Sequence, residues 1–156
     1  MPRTIYLAMF SNGARPAHQS VFVPTGGTGK KGKLIHVDGN PAYGFSLEFL
    51  RNFDFADFPS TYQILALGDV DDRYVADTPG NGDLLKDAIA RDRLESVATQ
   101  VSPPGRSLNP FDPAAPNCQN WLIDYFGKLV EEGHLEHEAI SVLSNAPKVL
   151  RVSDES

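Results

Sequence analysis

Cysteine is nearly absent from this chain: Cys118 is the only one among 156 residues. A single thiol excludes an internal disulfide and any metal site built on two or more cysteines of one chain. Long apolar runs are missing as well. No stretch approaches the ~18 residues of a membrane span. The apolar segment Ile5-Tyr6-Leu7-Ala8-Met9-Phe10 is too short for an export signal, and Ser11-Asn12-Gly13 behind it reads as a turn, not a cleavage site. A lone thiol without an export signal is expected in a reducing compartment, the cytoplasm. Positive charge is in deficit: the net charge is −6. That argues against a nucleic-acid partner and against binding to anionic membranes, so no stable membrane insertion is expected. Internal repeats and long low-complexity segments are also absent.

What is present describes a folded domain. Apolar residues make up 41% and charged residues 22%, too apolar a balance for a disordered chain. The length fits a single domain over residues 1–156, with a loose tail from about 146. A chain of this size can build a core without a metal or a disulfide. Thirteen glycines and twelve prolines promise many turns.

The first half reads as strands. Thr4 to Phe10 is rich in β-branched and aromatic residues, and His18 to Val23 alternates up to Pro24. A Gly/Lys loop, Thr25 to Gly32, then joins a strand at Lys33 to Val37 as in a hairpin. Phe45 to Arg51 alternates with Phe45, Leu47 and Phe49 on one face, and Tyr62 to Leu67 forms a further strand. The second half reads as helices: Asp83 to Ala98, then a proline-rich loop from Val101 to Pro116, then Asn117 to Glu132 ending at Gly133, then Glu136 to Leu143. Strands followed by helices predict an α+β domain, with an antiparallel sheet of about five strands packed against the helix that begins at Asn117.

That helix carries the thiol. Asn117 has the chemistry of an N-cap, which puts Cys118 at the first helical position. Trp121, Leu122, Tyr125, Phe126, Leu129 and Val130 mark the buried stripe, and Cys118 shares their face. A thiol at a helix N-terminus stands where the dipole favours a negative charge, a setting of reactive cysteines. A thiolate nucleophile needs a base. His18 and His36 fall on hairpin partner strands, where one imidazole can take the thiol proton and the other can orient it. The Cys118 amide and Gln119 are candidate oxyanion donors, with Asn117 in support. Two plainer alternatives stand beside this one. A lone cysteine is by default a small buried hydrophobe, and His18, His36 and Cys118 are also three residue types that zinc accepts.

Asn117-Cys118-Gln119-Asn120-Trp121 resembles the Asn-Cys-x-x-aromatic signature of permuted papain-like (NlpC-type) enzymes. These include the lecithin retinol acyltransferase family and PPPDE-type peptidases. Ala17-His18-Gln19-Ser20-Val21-Phe22-Val23 is similar to the strand that carries their first histidine. Leu34-Ile35-His36-Val37 falls where the acyltransferase branch has a second, and the order His, His, Cys is that of the permuted form. The likeness covers about residues 17–37 and 117–133. The whole chain also resembles a group of small uncharacterised fungal proteins, through Thr4 to Phe10, Ala90 to Val97 and Pro116 to Gln119. The resemblance implies a papain-like permuted topology and a thiol acyl-transfer site made of Cys118, His18 and His36. No cofactor and no metal follow from it, and the partner is a small-molecule or peptide acyl substrate. The closing residues Arg151 to Ser156 do not read as a hydrophobic anchor of the acyltransferase type, and residues 40–77 are longer than the compact peptidase core. Neither a membrane lipid nor a ubiquitin-like substrate is therefore implied.

The remaining signals read as structural. The Gly/Lys loop lacks the spacing of a phosphate loop. His134 and His137 lack further ligands and read as solvated surface residues. Asp69, Asp71, Asp72 and Asp77 read as a solvated turn or a cap, since the glycine and glutamate offsets of a calcium loop are missing. Asp87, Arg91 and Glu95, at helical spacing, predict an exposed ion-paired face. Arg106, Asn109 and Asp112 order the loop before the thiol or border a cleft. The expectation is a cysteine hydrolase or acyltransferase with Cys118 as nucleophile, His18 as base and His36 orienting it, and with His18 no more than a few ångströms beyond hydrogen-bond reach of Sγ. The rival is a catalytically silent binding module on the same fold. Oligomeric state is left open by composition.

Overall fold

The computed structural model describes residues 2–11, 17–27, 29–57, 61–79, 82–109, 111 and 115–147. Six strands run β1 Pro2–Phe10, β2 His18–Pro24, β3 Lys31–Asn40, β4 Gly44–Asp54, β5 Tyr62–Asp71 and β6 Leu85–Asp87. Three α-helices follow: α1 Arg93–Ala98, α2 Cys118–Glu131 and α3 Glu138–Asn145. The strands form one sheet in the order β5-β1-β2-β3-β4-β6, antiparallel at every pairing. The α+β class is as expected, with one strand more than the expected five. Among the described residues no helix is long and apolar enough to cross a membrane.

Strand alternation splits the side chains between two faces. Ile5, Leu7, Met9, Val21, Val23, Ile35, Val37 and Phe49 point to the helix side. There they pack on Trp121, Leu122, Tyr125, Phe126 and Leu129, the stripe anticipated for α2. Two buried polar anchors fix that helix: Trp121 Nε1 donates to Val101 O at 2.9 Å, and the Tyr125 hydroxyl donates to Leu94 O at 2.8 Å. The other face carries Ala8, Phe22 and Leu34 around Phe55, which lies in the segment leaving β4. Phe55 stacks on Phe10 at 5.9 Å and meets Phe22 and Phe53 edge-on at 4.9 Å. The sheet therefore has a second, smaller aromatic core on its far side.

Two expectations about residues 83–98 are corrected. A continuous helix does not form. Leu85–Asp87 pairs with β4 as an edge strand, and the helix starts only after Asp92, whose side chain accepts from Glu95 N. Leu85 and Ile89 are 53% and 65% exposed, so the apolar spacing that suggested one long helix is not a buried stripe. Glu95, expected on an exposed ion-paired face, is instead fully buried. Arg51, itself 1% exposed, donates to both Glu95 oxygens at 2.6 and 3.0 Å and to Asp87. Lys33 closes the cluster with Glu95 at 2.6 Å. Burial alone would raise the Glu95 carboxyl, but Arg51 and Lys33 hold it below its usual range. Only the Arg91–Asp87 pair, at 3.8 Å, survives of the predicted exposed row.

His134 is corrected too. It is buried, ring to ring with Tyr74 at 4.4 Å, and accepts from Arg93 Nε at 3.1 Å. His137 is exposed, as expected. In the acidic cluster, Asp71 caps the turn Asp72–Tyr74, while Asp72 and Asp77 bind Arg3. Arg106 and Asn109 lie in the loop before α2, which pairs with the β3–β4 turn through Ser107 N to Pro41 O at 2.8 Å. Asp112 and most of the expected loose tail lie outside the described residues.

Candidate functional site

The N-terminus of α2 forms as its sequence predicts. Asn117 has extended backbone angles, and its side chain accepts from Gln119 N at 2.9 Å. The Asn120 side chain reaches back to accept from Asn117 N at 2.8 Å, which closes a capping box. Cys118 is the first helical residue, 6% exposed, and packs with the helix-side core. Its Sγ lies 4.0 Å from Ala17 O, immediately before β2. The Gln119 side chain donates to the same carbonyl at 2.9 Å. Gln119 thus ties the entrance of β2 to the helix, a structural task beyond the oxyanion role expected of it.

The two histidines come together as the hairpin geometry predicts. His18 Nε2 and His36 Nδ1 are 2.6 Å apart, with the rings edge to face at 4.8 Å. Sequence reasoning missed the third member. Glu48 stands opposite His36 in the β3–β4 register, and its Oε1 lies 3.0 Å from His36 Nε2. The signal was available: Glu48 alternates with Leu47 and Phe49 and so faces away from the helices, toward the side His36 occupies.

The thiol does not join this chain by a hydrogen bond. Sγ contacts Ala17 O and backbone amides, and among the described residues neither imidazole is hydrogen-bonded to it. No hydrogen bond therefore joins Sγ to His18, and the reason is the period of two in a strand. Gln19, Val21 and Val23 face the helices. His18 and His36 face the aromatic side, where His18 lies 6.0 Å from the Phe10 ring. Thiol and imidazole flank the start of one strand from opposite sides.

The sheet is open where they flank it. β2 pairs with β1 down to Phe10↔His18, yet it pairs with β3 only from Val21↔Ile35 upward. Residues 18–20 thus part from β3, and the Gln19 amide, with no ladder partner on that side, aims at the thiol. Burial pushes the Cys118 thiol up, against the backbone amides of Gln19, Cys118 and Gln119, which favour the thiolate. Burial also pulls His18 down to about 4, with His36 adding to the effect, and burial pulls His36 down to about 4. At neutral pH the site holds a protonated thiol and two neutral imidazoles. Neutral rings can accept a proton; they do not form a standing thiolate–imidazolium pair.

No group of three or more His, Cys, Asp or Glu residues with metal-holding geometry occurs among the described residues. Splitting Cys118 from the histidines by strand face also removes the zinc arrangement. No curated protein and no solved structure matches the chain. A family profile matches residues 5–136, which takes in the sheet except the first three residues of β1, the thiol helix and both histidines. The chain belongs to that family, a family of unknown function (DUF6540).

Proposed function

We propose that this chain is a cysteine-dependent hydrolase or acyltransferase on a papain-like permuted fold, acting in the cytoplasm on an amide, ester or thioester of a small molecule or peptide. One observation carries the reading. A hydrogen-bonded chain of His18, His36 and Glu48 ends at the gap between β2 and β3 that a helix-N-terminal thiol flanks.

The chemistry follows in two halves. Opening the gap lets Sγ and His18 approach. Sγ attacks the carbonyl carbon while its proton passes to His18. The oxyanion that develops takes a hydrogen bond from the first-turn amide of Cys118, since the Gln119 amide is held by the Asn117 cap. The bond to the leaving group then breaks, and His18 returns the proton to that group, leaving an acyl-thioester on Cys118. Water or an amine attacks the thioester, gives its proton to His18 and releases the thiol, which His18 reprotonates. No oxidant, metal or cofactor enters the balance.

The burial of Cys118 and its lack of a bond to either imidazole favour a second reading, the silent binding module. Activated esters of varied acyl length, with intact-mass detection, separate the two. An acyl adduct on the full chain, absent in Cys118→Ala and slowed about a hundredfold in His18→Ala, is the outcome for an enzyme. A thiol that takes no acyl group from any ester, in a chain that stays folded, leaves the binding module.

A further inference from the structure

We infer that Glu48 is a positioning residue, setting the tautomer of both imidazoles and thereby choosing which nitrogen of His18 can act as a base. The inference rests on the acyl-transfer reading for its use, but its geometry stands alone. A carboxylate offers only lone pairs, so the Glu48 Oε1 contact at 3.0 Å requires His36 Nε2 to carry a proton and donate. Both rings are neutral at pH 7, so each carries a single N–H. His36 Nδ1 is then a bare acceptor. At 2.6 Å from it, His18 Nε2 must be the donor. The remaining nitrogen, His18 Nδ1, is left with a lone pair, and it has no hydrogen bond among the described residues. Nδ1 is also the ring nitrogen nearer the main chain, and the thiol packs against the main chain of residues 17–19. One carboxylate, two residues removed from the thiol, thus leaves the basic lone pair of His18 on Nδ1, beside the strand start that the thiol flanks from the other side. Reversing the first hydrogen bond would reverse both rings and put a proton where the lone pair is needed.

Nitrogen-15 correlation spectra of the two imidazoles, taken on the folded full chain at pH 7, read this directly. Wild type is expected to show the Nε2–H tautomer at both rings; Nδ1–H at either ring overturns the inference with no variant needed. Glu48→Gln keeps an acceptor oxygen and is expected to retain that pattern. Glu48→Ala is expected to lose the single tautomer, and Glu48→Lys, which only donates, to reverse it. If Glu48→Ala and Glu48→Lys, both folded by amide spectra, keep the wild-type tautomers, Glu48 is not the lock. Acylation of Cys118 is expected to fall on the order of tenfold in Glu48→Ala and to recover in Glu48→Gln. Equal rates in all variants would confine Glu48 to holding the strands. Tautomers that follow Glu48 in a chain that never acylates would sink the enzymatic reading and leave the lock standing.

Discussion

His18 and His36 share a hydrogen bond of 2.6 Å in which burial keeps both rings neutral, each pulled from its ordinary value of 6.5 to about 4. That depression ties stability to pH. Between about 6.5 and 4 the unfolded chain takes up protons that the folded chain refuses. Stability from these groups is therefore complete above 6.5 and is lost as pH falls through that window, by about 1.4 kcal/mol for each unit a site is shifted. Urea unfolding at a series of pH values should show this rise from pH 4 to 6.5. Its slope should shrink in His18→Gln, and a slope unchanged by that substitution would count against the neutral pair.

The thiol should behave as a buried one at rest. Iodoacetamide labelling of Cys118 is expected to be slow at pH 7, with its inflection above the ordinary cysteine value of about 8.5. Asp38→Asn removes a charge that also raises the thiol, so the inflection should move down. An inflection below 8.5 in wild type would show that the site rests open.

Glu95 is the shared partner of two buried cations, Arg51 and Lys33. Glu95→Ala leaves Arg51 with Asp87 and Lys33 with Asp92 but removes the buried carboxylate they share, and should cost about 3 kcal/mol in denaturant unfolding. A loss under 1 kcal/mol would mean that the cluster relaxes to solvent.

The cap should separate stability from chemistry. Asn117→Ala loses the bond to Gln119 N and is expected to cost about 1 kcal/mol, whereas Asn117→Asp keeps the acceptor and should recover most of it. The same substitution loosens the first-turn amides around the thiol, so acylation should fall along with thermal stability.

Phe55 is the test of the second core. It touches Phe10, Phe22, Phe53 and Tyr62, and it is almost fully buried. Phe55→Ala should cost about 3–5 kcal/mol. If it costs little, the far face of the sheet is not a core.

By itself the sequence determined the local structure. Alternation and β-forming composition marked five of the six strands, the Asn-Cys pair marked the start of α2, and the apolar spacing behind it marked the face that α2 buries. These are short-range signals, written in periods of two and of about 3.6 residues. Tertiary structure decided the rest. Leu85 and Ile89 have helical spacing, but β4 recruits Leu85–Asp87 into the sheet, and Arg51 draws Asp87 and Glu95 into one buried cluster across 36 and 44 residues of chain. The meeting of His18 with His36 was legible, because both lie on hairpin partners. Glu48 entered through a register that the chain order leaves open. The side of the sheet on which the thiol and the imidazoles lie depended on where β2 begins and where its pairing with β3 stops. A shift of one residue in that register exchanges the two faces, so the lone cysteine could be placed on its helix from sequence but not relative to its base.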